Sequence, residues 1–269
     1  MFNDLFKDYK PLYHYTTFEN AVRILATKKI IYSRMDKLND PLESFRPISF
    51  LSTKLTDENA YERITDAKEE LEKYQQISFS MDTNFRKGFL LNNMWGSYAN
   101  KGMGVCLVFD EQFLLDGLNR TPFGPVRYQR NYNPDIILSK TRLTSKASIR
   151  IYISNHSKSL FFRKSKEWEH EQEFRIVRRF DDTEKHYLEL FEQWNKTIKC
   201  VIFMKANDVK DDDTVFDSSS YKAILELLPD GCKAVQLSKD LEGNDFLMDN
   251  NNVLWGEVFD VDHERLHLS

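Results

Sequence analysis

Acidic side chains recur at every second position late in the sequence and are followed by a basic one. They are Glu169, Glu171, Glu173 and Arg175. Alternate residues of a β-strand share a face, so a strand extended back to Glu171 places these groups on one side. Carboxylates this close repel each other, which raises at least one pKa unless a cation intervenes. The pattern predicts either carboxylates in a reactive cleft or a solvent-exposed strand face that Arg175 neutralises.

A histidine near the start of the sequence is a second candidate for chemistry. His14 lies in the segment PLYHYT, residues 11–16, whose aromatic and β-favouring residues predict a strand. On that strand His14 points away from the two neighbouring tyrosines. Trp95 and Tyr98 fall on a predicted short helix over residues 94–98. Taken singly, these side chains are more typical of a core than of a ligand site.

The final residues contain a match to a zinc-protease pattern. His263 to His267 reads H-E-x-x-H. That chemistry needs a helix, which places both imidazoles on one face, together with a third ligand and a substrate cleft. Chain termini usually fray, so the position does not favour such a helix. We predict no metal site there.

A long basic segment spans residues 117–166. Its only acidic residue is Asp135, although the whole chain has a formal net charge of -4. The segment predicts contact with a polyanion, such as the pyrophosphate of a dinucleotide or a nucleic acid. The alternative is a basic face that pairs with acidic helices elsewhere in the fold.

The composition bounds the class of protein. The chain has 269 residues, of which 41% are apolar and 30% charged, as in globular proteins. No apolar run approaches the roughly 20 residues of a membrane-spanning helix, and the first residues lack the pattern of a signal peptide. Cys106, Cys200 and Cys232 are scattered, which is typical of free thiols in a reducing compartment. We therefore expect a cytoplasmic protein that does not cross a membrane.

Short strands and helices are predicted to position these residues. Strands are predicted over 11–16, 30–32, 77–80, 104–109, 171–177, 198–204, 235–237 and 253–261. Helices are predicted from Thr16 or Thr17 onward, and over 56–74, 94–98, 136–162 and 221–228. The absence of regular strand–helix–strand alternation favours an α+β fold. No long linker appears, so we expect a single domain over 1–269, with core motifs in 12–204 and residues 205–269 completing the fold.

Five sequence blocks together resemble a bacterial family known as domain-of-unknown-function 2971. They are LYHYTTFENAVRIL, LNDPLESF, ISFS, MWGSYANKGMGVCLVFD and KEWEHEQEFRIV. The resemblance runs from about Leu12 to Val177, and IKCVIFM fits beyond it. That family is in turn remotely similar to ADP-ribosyltransferases. The resemblance implies an ADP-ribosyltransferase-like fold of mixed sheets with flanking helices, and NAD as a substrate.

The same resemblance implies roles for individual residues. Glu173 would be the catalytic glutamate, Glu171 its upstream partner that orients or deprotonates the acceptor, and His14 the residue that holds the ribose of NAD. Ser80 and Tyr98 are both candidates for the motif around the nicotinamide. The implied NAD-binding set is His14, Tyr15, Ser80, Trp95, Tyr98 and Arg175. Of the basic residues, Arg163, Lys164 and Arg175 are the nearest in sequence for the pyrophosphate.

Three functions remain open from the sequence. The first is an NAD-dependent ADP-ribosyltransferase that serves as a toxin or antiphage effector and modifies a nucleic acid or protein acceptor bound through residues 117–166. The second is a non-catalytic nucleotide- or nucleic-acid-binding sensor of the same fold. The third is a nuclease that uses His14 and the glutamates. NAD turnover separates the first from the other two, and salt-sensitive nucleic-acid binding without turnover favours the second.

Overall fold

Two compact units make up the chain in a computed structural model. The described residues are 6–40, 43, 48–50, 58–118, 121–130, 136–138, 145–182, 184–204, 215, 218–239, 245–249 and 252–256. The first unit comprises Met1–Lys29, Phe79–Leu118 and Glu189–Ser269, and the second comprises Ile30–Ser78 and Asn119–Leu188. The single domain that the sequence predicts over 1–269 stays a prediction.

Helices and strands alternate irregularly along the described ranges. The strands are β1 (Pro11–Thr16), β2 (Lys29–Ile31), β3 (Ser33–Arg34), β4 (Ile48–Phe50), β5 (Tyr74–Met81), β6 (Val105–Asp110), β7 (Phe123–Pro125), β8 (Arg127–Gln129), β9 (Ile136–Leu138), β10 (Arg163–Ser165), β11 (Glu173–Arg179), β12 (Tyr187–Glu189), β13 (Ile198–Phe203), β14 (Lys233–Lys239), β15 (Asp245–Asp249) and β16 (Asn252–Gly256). The α-helices are α1 (Phe18–Thr27), α2 (Glu58–Glu72), α3 (Asn92–Ser97), α4 (Glu111–Leu115), α5 (Lys146–Asn155), α6 (Ser157–Phe161), α7 (Trp194–Thr197) and α8 (Ser219–Leu225). This arrangement confirms the predicted α+β class.

A mixed sheet forms the centre of the first unit. Its strand order is β16-β15-β14-β13-β6-β1, and the end of β5 lies beside β1 with Ser80 opposite Tyr13. Strands β13 and β14 are parallel, whereas the other neighbouring pairs are antiparallel. Every residue of β6 is buried, which explains why its sequence is an almost continuous apolar run.

The strand and the helix predicted near the start of the chain are confirmed. Tyr13 and Tyr15 of β1 face a buried cluster with Phe89 and Trp95. Helix α1 begins after Thr17, whose side chain accepts a hydrogen bond from the backbone of Asn20. It ends where Lys28 adopts a left-handed conformation (φ 57°) and donates its backbone N–H to Ile24.

Gly104 is a point of close backbone approach just before β6. A Cβ atom at this position would lie 2.3 Å from the carbonyl oxygen of Thr16 and 2.9 Å from Cα of Ala99. We expect Gly104→Ala to lower the free energy of unfolding, measured in urea, by about 2 kcal/mol, because two backbones must move apart. Gly96→Ala is the matched control, since no described atom lies within 4 Å of its added methyl group. It should raise stability by about 0.5 kcal/mol through helix propensity. Equal effects of the two changes would contradict this account.

The second unit has its own core around three helices. In its strand order β11 lies between β5 and β7, and β3 pairs with β5. Helix α2 packs against α5, and the ring of Tyr74 stacks on Phe161 with centroids 4.8 Å apart. Ile149, Ile153 and Val177 are buried in the same cluster.

Some predicted elements are wrong or shifted. Residues 136–162 are not helical throughout, because β9 forms a parallel pair with β4 at their start and helix α5 begins only at Lys146. Backbone pairing with a distant strand, which local patterns do not reveal, decides this segment. Tyr74 was expected at the end of a helix, but it opens β5. The C-terminal part of the predicted strand 253–261 lies outside the described residues.

Two findings bear on the expected location of the protein. Of the helices in the described ranges, none is long and apolar enough to cross a membrane. The three cysteines are free, and Cys106 and Cys200 are buried. Burial raises the pKa of both buried thiols, which keeps them protonated and unreactive. The cytoplasmic location itself stays a prediction.

Candidate functional site

The glutamate-rich segment is not a continuous strand. Lys166–Glu171 forms a 3-10 helix, Gln172 adopts a left-handed conformation (φ 48°), and β11 begins at Glu173. The predicted strand back to Glu171 is therefore wrong. Glu169 is exposed and pairs with Lys166, so it does not share a face with the later glutamates. The turn at Gln172 nevertheless brings Glu171, Glu173 and Arg175 together.

Arg175 is the centre of a buried group of charges in the second unit. Its side chain is completely buried. It donates from Nε and Nη2 to Glu173 (both 2.7 Å) and from Nη1 and Nη2 to Glu43 (2.6 and 2.8 Å). Nη1 also donates to the backbone oxygen of Phe161 at 2.7 Å. All five N–H groups of the guanidinium are therefore used.

Lys164 supplies the second positive charge. Its Nζ lies 2.7 Å from Glu171, 3.6 Å from Glu43 and 3.7 Å from Glu173. The ring of Trp168 lies 4.4 Å from the same nitrogen, in a cation–π contact. We call Glu43, Lys164, Glu171, Glu173 and Arg175 the ion cluster. Each member is at most 4% exposed, so the expectation of a solvent-exposed strand face is wrong.

The cations determine the charge state of the ion cluster. Burial by itself would raise the pKa of Glu173, but the charge and hydrogen bonds of Arg175, with Lys164 and Ser78, outweigh it and hold that pKa below its ordinary value. Burial would likewise lower the pKa of Lys164, but Glu173, Glu171 and Glu43 raise it. At their formal charges, the three carboxylates and two cations of the ion cluster sum to one negative charge.

Polar side chains from other strands surround Glu173. The Ser78 hydroxyl forms a hydrogen bond with its carboxylate, and Gln76 Nε2 donates to Ser78 Oγ at 3.0 Å. The backbone N–H of Glu173 donates to the hydroxyl of Tyr128 at 2.8 Å. Burial and the neighbouring Glu173 raise the pKa of Tyr128. Glu173 is therefore oriented from both sides.

The other predicted site residues lie in the first unit. His14 is partly buried on β1, with its ring 5.5 Å from that of Phe79. Tyr15 and Trp95 are core residues that meet edge to face at 5.1 Å. Their polar atoms donate to the backbone oxygens of Gly88 and Phe89.

Packing in the core therefore explains why Tyr15 and Trp95 occur at these positions. Their roles in NAD binding, and that of His14, rest on the resemblance alone. The two candidates for the nicotinamide motif differ in exposure. Ser80 is fully buried on β5, whereas Tyr98 is partly buried against the core of the first unit. Exposure does not decide between them, and their assignment stays a prediction. The blocks that contain them form a strand and a short helix, as the sequence pattern predicts.

The basic segment divides into paired and exposed residues. Lys146 on α5 lies 3.1 Å from both Asp66 and Glu69 on α2, as the pairing alternative predicts. Lys164 is buried in the ion cluster. Other members are exposed: Arg127, Arg130, Arg150 and Lys158. Binding of an acceptor through residues 117–166 therefore stays a proposal carried by the exposed cations.

No metal-binding group of three or more His, Cys, Asp or Glu side chains occurs among the residues that the structure describes. The three glutamates of the ion cluster form ion pairs with Lys164 and Arg175. The H-E-x-x-H match at 263–267 lies outside the described residues.

Sequence reasoning missed several members of the site. They are Glu43, Gln76 and Ser78 of β5, and Tyr128 of β8. These residues come from three separate parts of the chain, and local spacing does not connect them with Glu173. The sequence suggests Lys164 only as a partner for a pyrophosphate. One signal was available: three glutamates near a single arginine require more positive charge, and Lys164 stands seven residues before Glu171.

Comparison with known proteins bears on the family but not on the activity. The model of a family described as "Protein of unknown function (DUF2971)" matches residues 94–176. That range contains Trp95, Tyr98, Glu171 and Glu173, but not His14. The match supports the family to which the sequence blocks point. No curated protein and no solved structure matches the chain.

Proposed function

We propose that this chain is an NAD-dependent ADP-ribosyltransferase-like effector in which Glu173 acts on the bond between nicotinamide and ribose. The observation that carries the proposal is the buried, ionised Glu173 carboxylate, oriented by Arg175 and Ser78. The mixed sheet with flanking helices agrees with an ADP-ribosyltransferase-like fold. A role as a toxin or in antiphage defence rests on the resemblance alone.

The charge state of Glu173 suits this chemistry. Cleavage of the N-glycosidic bond of NAD develops positive charge on the ribose, and a preorganised carboxylate stabilises that charge. A carboxylate can serve this purpose only while it is ionised. Arg175 and Lys164 hold the pKa of Glu173 below its ordinary value against the effect of burial, so the group is ionised at neutral pH.

The hydrogen bonds that Glu173 makes with the described residues leave one acceptor position on its carboxylate. An ionised carboxylate offers about four acceptor positions. Arg175 uses two of them and Ser78 a third. The remaining position can accept a ribose hydroxyl, and Glu171 beside it can orient or deprotonate the acceptor.

Labelled NAD provides the test. The purified full chain is incubated with NAD that carries the label in its ADP-ribose part, with and without a cell lysate. We expect free nicotinamide and transfer of the label to a macromolecule, and digestion with nuclease or protease identifies the acceptor class. If NAD remains intact in both incubations, the enzyme proposal is wrong.

Burial of the ion cluster favours a second candidate function. Arg175 has all its donors satisfied inside the protein, and Glu173 is almost fully buried, as in a structural ion network. The chain would then be a non-catalytic sensor that binds a nucleotide or nucleic acid through exposed cations. Intact NAD, together with nucleic-acid binding that weakens as salt is added, is the result that supports this candidate.

A further inference from the structure

Gln76 is a buried amide, and one of its polar atoms has no partner among the described residues. It lies on β5 and is 2% exposed. Its Nε2 donates to Ser78 Oγ at 3.0 Å, but within the described part of the chain no donor reaches its Oε1. Buried polar groups in proteins are usually hydrogen-bonded, so Oε1 is an acceptor that a ligand could use. Gln76 differs from the other buried residues with such an atom in its hydrogen bond to Ser78, which contacts Glu173.

The ion cluster determines which atom of the Gln76 side-chain amide lacks a hydrogen-bond partner among the described residues. Glu173 is ionised beside Arg175 and Lys164, and an ionised carboxylate only accepts hydrogen bonds. Ser78 must therefore direct its single hydroxyl proton at Glu173. Its oxygen can then only accept from Gln76, which turns Nε2 toward Ser78 and leaves Oε1 for another group.

The chemistry of Gln76 Oε1 limits which ligand groups can bind to it. A carbonyl oxygen binds an N–H or O–H donor. The net negative charge of the ion cluster disfavours an anionic group beside it, since like charges in a buried site repel strongly. A neutral donor, such as a carboxamide N–H or a sugar hydroxyl, meets both conditions.

We infer that Gln76 is a substrate-binding residue whose Oε1 accepts a hydrogen bond from a neutral donor on the nicotinamide riboside end of NAD, next to Glu173. This inference rests on the proposed function and adds a contact that distinguishes substrates. The bond from Gln76 to Ser78, and from Ser78 to Glu173, connects this contact to the reacting bond.

Gln75 provides a matched control. It precedes Gln76 on the same strand, is also fully buried, and likewise has an Oε1 without a partner among the described residues. Adjacent strand residues point to opposite faces, and Gln75 Nε2 donates to the backbone oxygen of Glu184 instead. The same substitution at Gln75 therefore tests burial without the link to Glu173.

The experiment measures Kd by calorimetry for NAD and for nicotinic acid adenine dinucleotide, which has a carboxylate in place of the carboxamide. The proteins are the unmutated full chain, Gln76→Met and Gln75→Met, each checked for folding by circular dichroism. We expect Gln76→Met to weaken NAD binding about tenfold and Gln75→Met to leave it unchanged. If the acid analogue is unaffected by Gln76→Met, the donor is the carboxamide, and if both ligands weaken equally, it is a ribose hydroxyl.

Two results would contradict the inference. One leaves the proposed function intact, and the other contradicts it as well. If the unmutated protein binds NAD but Gln76→Met leaves its Kd unchanged, or Gln75→Met raises it equally, Gln76 is a structural residue and the proposed function stands. If the unmutated protein does not bind NAD, both the inference and the proposed function are wrong.

Discussion

Replacing Arg175 with methionine should lower the free energy of unfolding by about 3 to 5 kcal/mol. Methionine fills a similar volume but leaves Glu43 and Glu173 without the guanidinium that now forms two hydrogen bonds to each of them. Lys164 remains, at 3.6 and 3.7 Å from these carboxylates. Urea unfolding measures the loss. It is a large share of the roughly 5 to 15 kcal/mol that stabilises a typical domain.

The pH dependence of this loss identifies its cause. In the unmutated protein the pKa of Glu173 is depressed, so its contribution is present above the unfolded value of about 4.3 and is lost as the pH falls through the folded value. In Arg175→Met the buried carboxylates should have raised pKa values, because burial now outweighs the remaining attraction. The free energy of unfolding of the variant should therefore rise as the pH is lowered from about 7 to about 5. In the unmutated protein, Glu173 causes no rise over that pH range.

Arg178→Met is the control for Arg175→Met. Arg178 lies on the same strand but is exposed, and it contacts the ring of Phe180. Its replacement should cost less than about 1 kcal/mol, with no gain at lower pH. Equal losses for the two variants, or a flat pH dependence in Arg175→Met, would show that the ion cluster is not the source of the stability.

Glu173→Gln should reduce NAD turnover by a factor of about 100 or more if the proposed function holds. Glutamine keeps the shape of the side chain but removes the charge that would stabilise the developing positive charge on the ribose. The change also leaves two carboxylates against two cations, so the ion cluster becomes neutral. One N–H of Arg175 would then face an amide N–H, at a cost of about 1 to 3 kcal/mol. Turnover is therefore compared at a temperature where both proteins are folded, with NAD binding measured alongside.

Glu169→Gln tests whether the effect belongs to the site. The substitution is the same and lies four residues earlier, but Glu169 is exposed and pairs only with Lys166 among the described residues. Turnover in this variant should equal that of the unmutated protein. If Glu173→Gln also retains full turnover, the mechanism is refuted. If it fails to fold, Glu173 is a structural partner of Arg175.

Local patterns predicted the elements whose residues interact with near neighbours. The aromatic alternation of β1, the threonine cap of α1 and the apolar run of β6 each carry their own signal. Residues 136–162 were misassigned because pairing with a distant strand sets the structure at their start. Local propensity determines secondary structure less strongly than such long-range contacts do.

The candidate site was predictable only in part. The spacing of Glu171, Glu173 and Arg175 predicts that these three charges lie together, which is confirmed. A turn at Gln172 joins them, and not the continuous strand that the pattern predicts. The left-handed Gln172, a conformation that few residues other than glycine adopt, turns Glu171 into the ion cluster. No local signal joins Glu43 to Arg175, because their contact is formed by the fold and not by spacing.

The position of Glu43 has a consequence for synthesis of the protein on the ribosome. Glu43 and Arg175 are 132 residues apart. At translation rates of about 5 to 20 residues per second, Glu43 emerges about 7 to 26 s before its partner. Throughout that interval Glu43 lacks the guanidinium of Arg175, so its carboxylate must stay hydrated and the interior around it cannot close. The second unit is therefore completed late, and chaperones have several seconds in which to bind its open form.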